Sequence, residues 1–387
     1  MPKAAHFGAG NIGRGFVGQL YFESHYDIVF LDVVDDLVKA LTEHKTYRIK
    51  EADPKGSDVR QISNYKIIHS DKNKDDAIHE IATAEIVSCS VGPNILKFIA
   101  PTIAKAIEAR DIKAHPKPLA VIACENAILA TNTLKGLIED KLSETAKKEL
   151  AQRAEFANCA IDRIVPTQPK DAGVDITIEK HFEWAVEETP FSQGPPKIAG
   201  VHWVKDVMPY LERKLWTINT GHATTAYFGH AAGKTTIRES LEDPAIKEAV
   251  KNALSETSAL IQKKHGFSAQ EQTHYIDLTL SRFANPKLDD ACVRVGRNPL
   301  RKLSRDERYI RPASLCAEDG LPVKGLLAGM AKALKFQDVK DDTESFELAK
   351  KLKSLSAHEA TAEITNLPEN HPLFAEFQKI VEAEQKS

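Results

Sequence analysis

The chain has 387 residues, which suits two domains, each long enough to bury a sizeable core. Its 52 Lys and Arg stand against 55 Asp and Glu, a formal charge of -3, so no global basic field points to nucleic acid or to an anionic membrane surface, and the expected partner is a small molecule. Five widely spread cysteines, Cys89, Cys124, Cys159, Cys292 and Cys316, show no CxxC spacing, which disfavours a disulfide framework and a structural zinc site.

"MPKAAHFGAGNIGRGF" has no apolar leader, and no uninterrupted apolar run is long enough to cross a bilayer, so a soluble cytoplasmic protein is expected. "KAAHFG" (3–8) reads as a short strand ending in glycine, "NIGRGFVGQLYFES" carries helical periodicity, and "YDIVFLDV" returns as an apolar strand. The chain therefore opens on a βαβ unit. After a short helix to about residue 43, the alternating segments "TYRIKE" and "VRQISNYKIIH" flank the polar turn "ADPKGSD" and predict a strand insertion.

"EIVSCSVG" (85–92) and "PLAVIACEN" (118–126) are apolar runs suited to inner strands of a parallel sheet. "VDITIEKHFEWAVEE" alternates in two registers and predicts a hairpin-like antiparallel extension after "NCAIDRIVPTQ". From about Val204 the chain becomes helical, with segments near 205–230, 244–264, 269–282, 322–335, 343–354 and 371–384.

Gly8-Ala9-Gly10-Asn11-Ile12-Gly13 matches G-x-G-x-x-G, with a strand before, a helix after and an acid closing the next strand. Gly8 permits the tight turn, Gly10 lets the backbone approach a pyrophosphate, and Gly13 lets the helix pack close to the sheet. Asp32 follows Gly10 by 22 residues, where its carboxylate would accept ribose hydroxyls and repel a 2'-phosphate, so NAD is favoured over NADP. In "SVGPN" (90–94), Val91 and Gly92 suit the cofactor's second half, although a plain Gly-Pro turn has the same composition. Arg14 faces either phosphate or solvent. The expected architecture is an α/β Rossmann-type N-terminal domain with strand insertions over 1–202, and a mainly α-helical C-terminal domain over 203–387, with the active site in the cleft between them.

The stretch "RKLWTINTGHATTAYFGHAAGK" (213–234) places Lys214, Asn219 and His222 on one helix. At about 100° per residue Asn219 lies about 140° round from Lys214 and His222 about 80° round, so the three fan across one broad side. Oxidising an alcohol by hydride transfer needs a base for the hydroxyl proton and donors for the developing alkoxide. A desolvated lysine near other positive charge suits the first task, and an amide and an imidazole suit the second.

This pattern, K-x4-N-x2-H, resembles the polyol-specific long-chain dehydrogenases, the metal-independent mannitol dehydrogenase family. Further stretches that carry the resemblance are "FGAGNIGRGF" (7–16), "SVGPNIL" (90–96), "CENA" (124–127), "NCAIDRIVP" (158–166), "NTGHATTAYFGHAAG" (219–233) and "RFANPKLDDACVRVGRNPLRKL" (282–303). It implies NAD as cofactor, no metal, a monomer, and Lys214 as general acid/base, with Asn219 and Asn126 as oxyanion-stabilising amides and His222 orienting the substrate. "GAGNIGRGF" and "NTGHA" suit the phosphate-specific branch, which implies interconversion of D-mannitol 1-phosphate and D-fructose 6-phosphate at C5. Relatives acting on an unphosphorylated polyol or a hexuronate are the enzymatic alternative, and a silent NAD-sensing protein is the alternative from another class.

One position departs from the pattern. Mannitol 2-dehydrogenases carry a proton-relaying glutamate three residues before the lysine, where this chain has Leu211; Glu212, one step later, points about 100° away on a helix. For the substrate phosphate, "RVGRNPLRKLSRDERYIR" (294–311) offers Arg301 and Lys302 first, while His230 and Lys234 lie further along the side of His222. The same charge run would form a solvated face by pairing with Asp289, Asp290, Asp306 and Glu307.

Overall fold

The computed structural model describes every residue except 54, 55, 167, 170, 289 and 387, with the backbone alone at 53 and 57. Strand β1 (Lys3–Phe7) runs into the glycine turn, a helical segment from residue 11 to Glu23 follows, and β2 (Asp27–Asp32) pairs with β1 in parallel. Next come β3 (Tyr47–Asp53) and β4 (Gly56–Ile62), an antiparallel hairpin whose turn at 54 and 55 lies outside the described residues. Then β5 (Tyr65–His69), β6 (Ile86–Cys89), β7 (Leu119–Ala123) and β8 (Ala154–Phe156) complete a six-stranded parallel sheet in the order β5-β2-β1-β6-β7-β8. That order reverses between β1 and β6, which is where a doubly wound sheet binds its ligand.

Strands buried on both faces explain the continuous apolar runs in the sequence. Ala4, Ile28, Phe30 and Ile122 face one core, with Phe16 and Leu20 of the first helical segment. Their neighbours Ala5, Val29, Leu31 and Val121 face the other, with Ile81, Ile103 and Leu134 from the helices Lys74–Ala82, Leu96–Ala109 and Ala130–Glu139.

Two readings of the strands are corrected. "VRQISNYKIIH" is not one segment of an insertion: Asn64 takes a left-handed conformation (φ 60), ending β4 and starting β5, the edge strand of the main sheet. "VDITIEKHFEWAVEE" is not a hairpin. Its first half is β10 (Ile176–Glu179), parallel to β3. Its second half is β11 (Glu183–Glu187), antiparallel to β9 (Cys159–Asp162) and parallel to β12 (His202–Val204). Alternation reports which face of a strand is apolar and is silent on its partner.

The chain divides into two compact units, Met1–Leu211 and Glu212–Ser387. The first extends past residue 202 because β12 pairs with β11 and Val204, Val207 and Leu211 pack on Ala160 and Ala185. The second is helical. At its centre the helix Thr220–Ala231 is buried on most sides, and it packs against Pro244–His265 and Lys324–Leu334. Helices also form at Ile237–Glu242, Cys292–Gly296, Pro299–Lys302, Ile310–Glu318 and Ala357–Thr365, which the sequence pattern left unread because most are short or interrupted by charge.

Candidate active site

The glycine turn is built from close backbone approach. The Gly8 N–H donates to the Leu31 carbonyl (2.8 Å) at φ 96, and a Cβ there would stand 2.8 Å from the Ser90 carbonyl oxygen. At Gly13 a Cβ would fall 1.8 Å from the Gly8 oxygen, whereas at Gly10 it would meet nothing within 4 Å. Two glycines are thus required by the fold, and the middle one leaves open space. The helix starting at Asn11 points the N–H groups of Asn11, Ile12 and Gly13, which lack intrahelical acceptors, from its N-terminus. This arrangement fits a dinucleotide pyrophosphate.

Asp32 is held by three backbone donors: Ala9 N–H on Oδ2 (2.7 Å), and Val33 and Val34 N–H on Oδ1 (2.8 and 3.0 Å). These bonds fix the direction of the carboxylate. It lines a cavity of about 480 Å³ with Gly8, Val33, Ser70, Val91, Ile95 and Phe98. Phe98 is 66% exposed and Ile95 40%, so the rim offers apolar surface to a flat ring. Sequence reasoning passed over both, although Phe98 falls outside the buried stripe of Leu96, Ile99, Ala100 and Ile103 and was legible as a misplaced apolar residue.

Val91 lines this cavity. Its N–H, however, and that of Gly92 already donate to the Glu125 carboxylate, so the loop offers a ligand its side chain and carbonyls instead. Arg14 faces neither phosphate nor solvent: it is 5% exposed and its guanidinium donates to the Val174 carbonyl, with burial lowering its pKa.

In the second unit, Lys214–Asn219 is a π-helical turn leading into Thr220–Ala231. The Thr220 N–H bonds the Leu215 carbonyl, five residues back. This corrects the angles of the sequence reading. An i→i+5 turn advances each residue by less than the α-helical 100°, so Asn219 lies closer in azimuth to Lys214 than the roughly 140° of an α-helix. Trp216, Thr217 and Ile218 are buried and anchor the turn, while Lys214, Asn219 and His222 are half-buried. His222 is stacked on Phe283 (centroids 4.7 Å, 19°), and its Nε2 stands 3.3 Å from Oδ2 of Asp290.

Asp290 is buried, and its carboxyl is held below the usual range: burial opposes ionisation, but His222 and Arg294 outweigh it. Arg294 Nε donates to Oδ1 at 2.6 Å. The charge run's alternative reading has Asp290 as a partner, and Asp290 and Arg294 are spaced i, i+4; the approach of Asp290 to His222 was not read from the sequence.

Two family models match the chain: the mannitol dehydrogenase Rossmann domain over residues 2–200 and the mannitol dehydrogenase C-terminal domain over residues 206–383. The chain belongs to the mannitol dehydrogenase family. A mannitol-1-phosphate 5-dehydrogenase of Emericella nidulans is 53% identical over 378 residues, covering 97% of this chain and 96% of the relative. One from Ajellomyces capsulatus is 53% identical over 385 residues, covering 99% and 98%. Among solved structures, D-sorbitol dehydrogenase in substrate-free form matches with a TM-score of 0.80 at 20% identity, covering 100% of this chain and 92% of that one. Pseudomonas fluorescens mannitol 2-dehydrogenase, in a ternary complex with NAD and D-mannitol, matches at 0.77 and 18%, covering 100% and 94%. These two share the fold.

In this member of the mannitol dehydrogenase family, Glu212 is bound by Lys264 Nζ (2.7 Å) and His265 Nε2 (2.5 Å). Both partners pull its carboxyl down against burial. It is committed to that cluster. Asn126 is exposed, just after β7 in the first unit.

The phosphate candidates separate. Lys302 is corrected: it is 4% exposed, and its amine donates to the carbonyls of Val295 (2.8 Å) and Arg297. Burial beside Arg308 and Arg301 pushes its pKa down to about 7, so it braces a turn and presents no outward cation. Arg301 stays at the surface, paired with Glu307 (2.7 Å). His230 lies against Phe336 (centroids 4.7 Å) and is lowered by burial. The helix ends before Lys234, since Gly233 takes a left-handed conformation (φ 71) and the Lys234 N–H closes on Gly229; Lys234 faces Asp243 (3.9 Å). Asp289 lies outside the described residues. Among the described residues no group of three or more His, Cys, Asp or Glu is placed to hold a metal, and no helix is long and apolar enough to cross a membrane.

Proposed function

We propose that this chain interconverts D-mannitol 1-phosphate and D-fructose 6-phosphate with NAD, acting as a monomer in the cytoplasm with Lys214 as general acid/base. The substrate follows from relatives of that activity at 53% identity over nearly the whole chain. The chemistry rests on one observation, the π-helical turn Lys214–Asn219, which brings the Asn219 side of the helix nearer to that of Lys214 than an α-helix would.

In the oxidation direction Lys214 takes the proton of the C5 hydroxyl as hydride leaves C5. NAD, when bound, supplies the two-electron hydride acceptor. Asn219 donates to the oxygen as its negative charge grows, and the resemblance gives Asn126 the same task. His222, held between Phe283 and Asp290, donates to a substrate hydroxyl. Reduction runs the same steps backward, with protonated Lys214 returning the proton. The first-unit groups suited to the dinucleotide are the Gly8–Gly13 turn for the pyrophosphate and Asp32 for the adenosine ribose, with Val91 and Gly92 as adjoining wall.

Following NADH oxidation by absorbance, with fructose 6-phosphate and fructose at matched concentrations, tests this. Rapid turnover of the phosphorylated sugar alone is expected. Equal or reversed preference overturns the phosphate assignment, and silence on both overturns the activity.

A further inference from the structure

Loop 90–92 follows β6 at the point where the sheet order reverses, and it is pinned from three directions. Ser90 N–H donates to the Phe7 carbonyl (2.8 Å), and the Ser90 carbonyl abuts Gly8 so closely that no Cβ fits there. The Ser90 hydroxyl meets Nε2 of His6 (2.8 Å), whose Nδ1 meets Ser88 Oγ (2.7 Å). His6 is wholly buried, and burial pushes its pKa to about 3, so the imidazole is neutral and acts as a fixed strut.

The third pin is Glu125, the residue before Asn126. It is 5% exposed, and each of its carboxylate oxygens accepts one backbone N–H: Oε1 from Val91 (2.8 Å), Oε2 from Gly92 (2.9 Å). Such a fork makes two charge-assisted bonds to successive peptide units, and so sets both the position and the tilt of the loop. Gly92 leaves the fork at φ 97 and opens the turn Pro93–Ile95, which delivers Ile95 and Phe98 to the rim of the cavity that Val91 and Asp32 also line. Among the described residues, the partners of this buried carboxylate are this loop and the Cys89 thiol beside it.

We infer that Glu125 is a positioning residue for the cofactor: its carboxylate holds Val91 and Gly92 so that the cavity wall from Val91 to Phe98 is in place before the dinucleotide arrives. Preorganisation of this kind raises affinity by removing the ordering loss from the binding step. The inference rests on the dinucleotide reading of the Gly8–Gly13 turn.

Glu125→Gln keeps the size but turns an amide NH2 toward one of the two N–H donors, leaving that pair unsatisfied. NADH affinity, read by fluorescence titration of the full chain without substrate, is expected to fall about 10- to 100-fold, the loss of one charge-assisted bond. KM for NADH should rise far more than kcat falls, and Glu125→Asp should recover part of the affinity because it restores a carboxylate. Amides of 90–95 should exchange faster with deuterium in the Gln variant, while melting temperature drops by only a few degrees. Wild-type binding with unchanged Gln-variant affinity overturns the inference, as does a fall in kcat at unchanged KM. Absence of NADH binding in the wild type overturns the dinucleotide reading itself.

Discussion

Among the described residues each unit carries one π-helical turn, and the two are made in different ways. In the first, Gly13–Val17, the Gly18 N–H reaches the Gly13 carbonyl five residues back, and Gly13, Gly15 and Gly18 let other segments of the chain touch the backbone. The Tyr47 hydroxyl donates to the Arg14 carbonyl (2.9 Å) and Arg163 to that of Gly15 (3.3 Å), so buried side chains from elsewhere satisfy the widened turn. In the second, Lys214–Asn219, glycine is absent. The Thr220 hydroxyl stands 2.7 Å from the Arg308 carbonyl and 3.1 Å from Leu215's, and Trp216, Thr217 and Ile218 fill the core behind it. One backbone device thus has two constructions: the first turn is made with small residues that admit close backbone approach, and the second is anchored by large buried side chains.

Breaking the second turn's cargo gives the largest effect. Lys214→Ala should lower turnover about 10²- to 10⁴-fold while NADH affinity is retained, as read by steady-state rates and fluorescence titration. Near-normal turnover would remove Lys214 from the chemistry. In the first turn, Gly13→Ala puts a Cβ at 1.8 Å from the Gly8 oxygen and should both abolish NADH binding and destabilise the fold by about 1–3 kcal/mol. Gly10→Ala, with nothing within 4 Å, should leave the melting temperature unchanged and weaken NADH alone. Equal melting losses in the two variants would contradict the division of labour among the glycines.

Thr220→Val tests whether the second turn depends on its hydroxyl. It removes a buried donor and should cost about 1–3 kcal/mol in urea unfolding, with kcat falling as the turn that carries Lys214 and Asn219 relaxes. The smallest effect on turnover concerns Lys302, which like Thr220 directs a side-chain donor at backbone carbonyls. Its folded pKa of about 7 lies below the ordinary 10.5, so between these values the unfolded chain binds the extra proton and stability rises with pH. Lys302→Met should flatten the stability profile measured by urea unfolding between pH 7 and pH 10. An unchanged slope would place the amine in water.

Legibility followed range. The glycine motif and Asp32 were readable because one strand, one turn and one helix specify them, and Gly8 and Gly13 meet the contacts their places imply. Lys214, Asn219 and His222 were recognised from their spacing, but α-helical angles misplaced Asn219, since a π-turn leaves no mark in hydrophobic periodicity. Glu125 went unread because its partners lie 33 and 34 residues away, and Lys302 read as an outward cation because a charge run does not say which member folds inward.

By itself the sequence determined the βαβ opening, the glycine turn, the helical second half and the residue types for alcohol oxidation. Each depends on the local period of apolar residues or on the steric range of glycine, which neighbours along the chain decide. Tertiary structure alone decided that β10 joins β3 while β11 joins β9. It also widened the two helical turns and aimed the Glu125 and Asp290 carboxylates at the loop and the imidazole they hold. Those outcomes are set by packing and hydrogen-bond satisfaction between distant segments, where the free energy belongs to the pair and to neither segment alone.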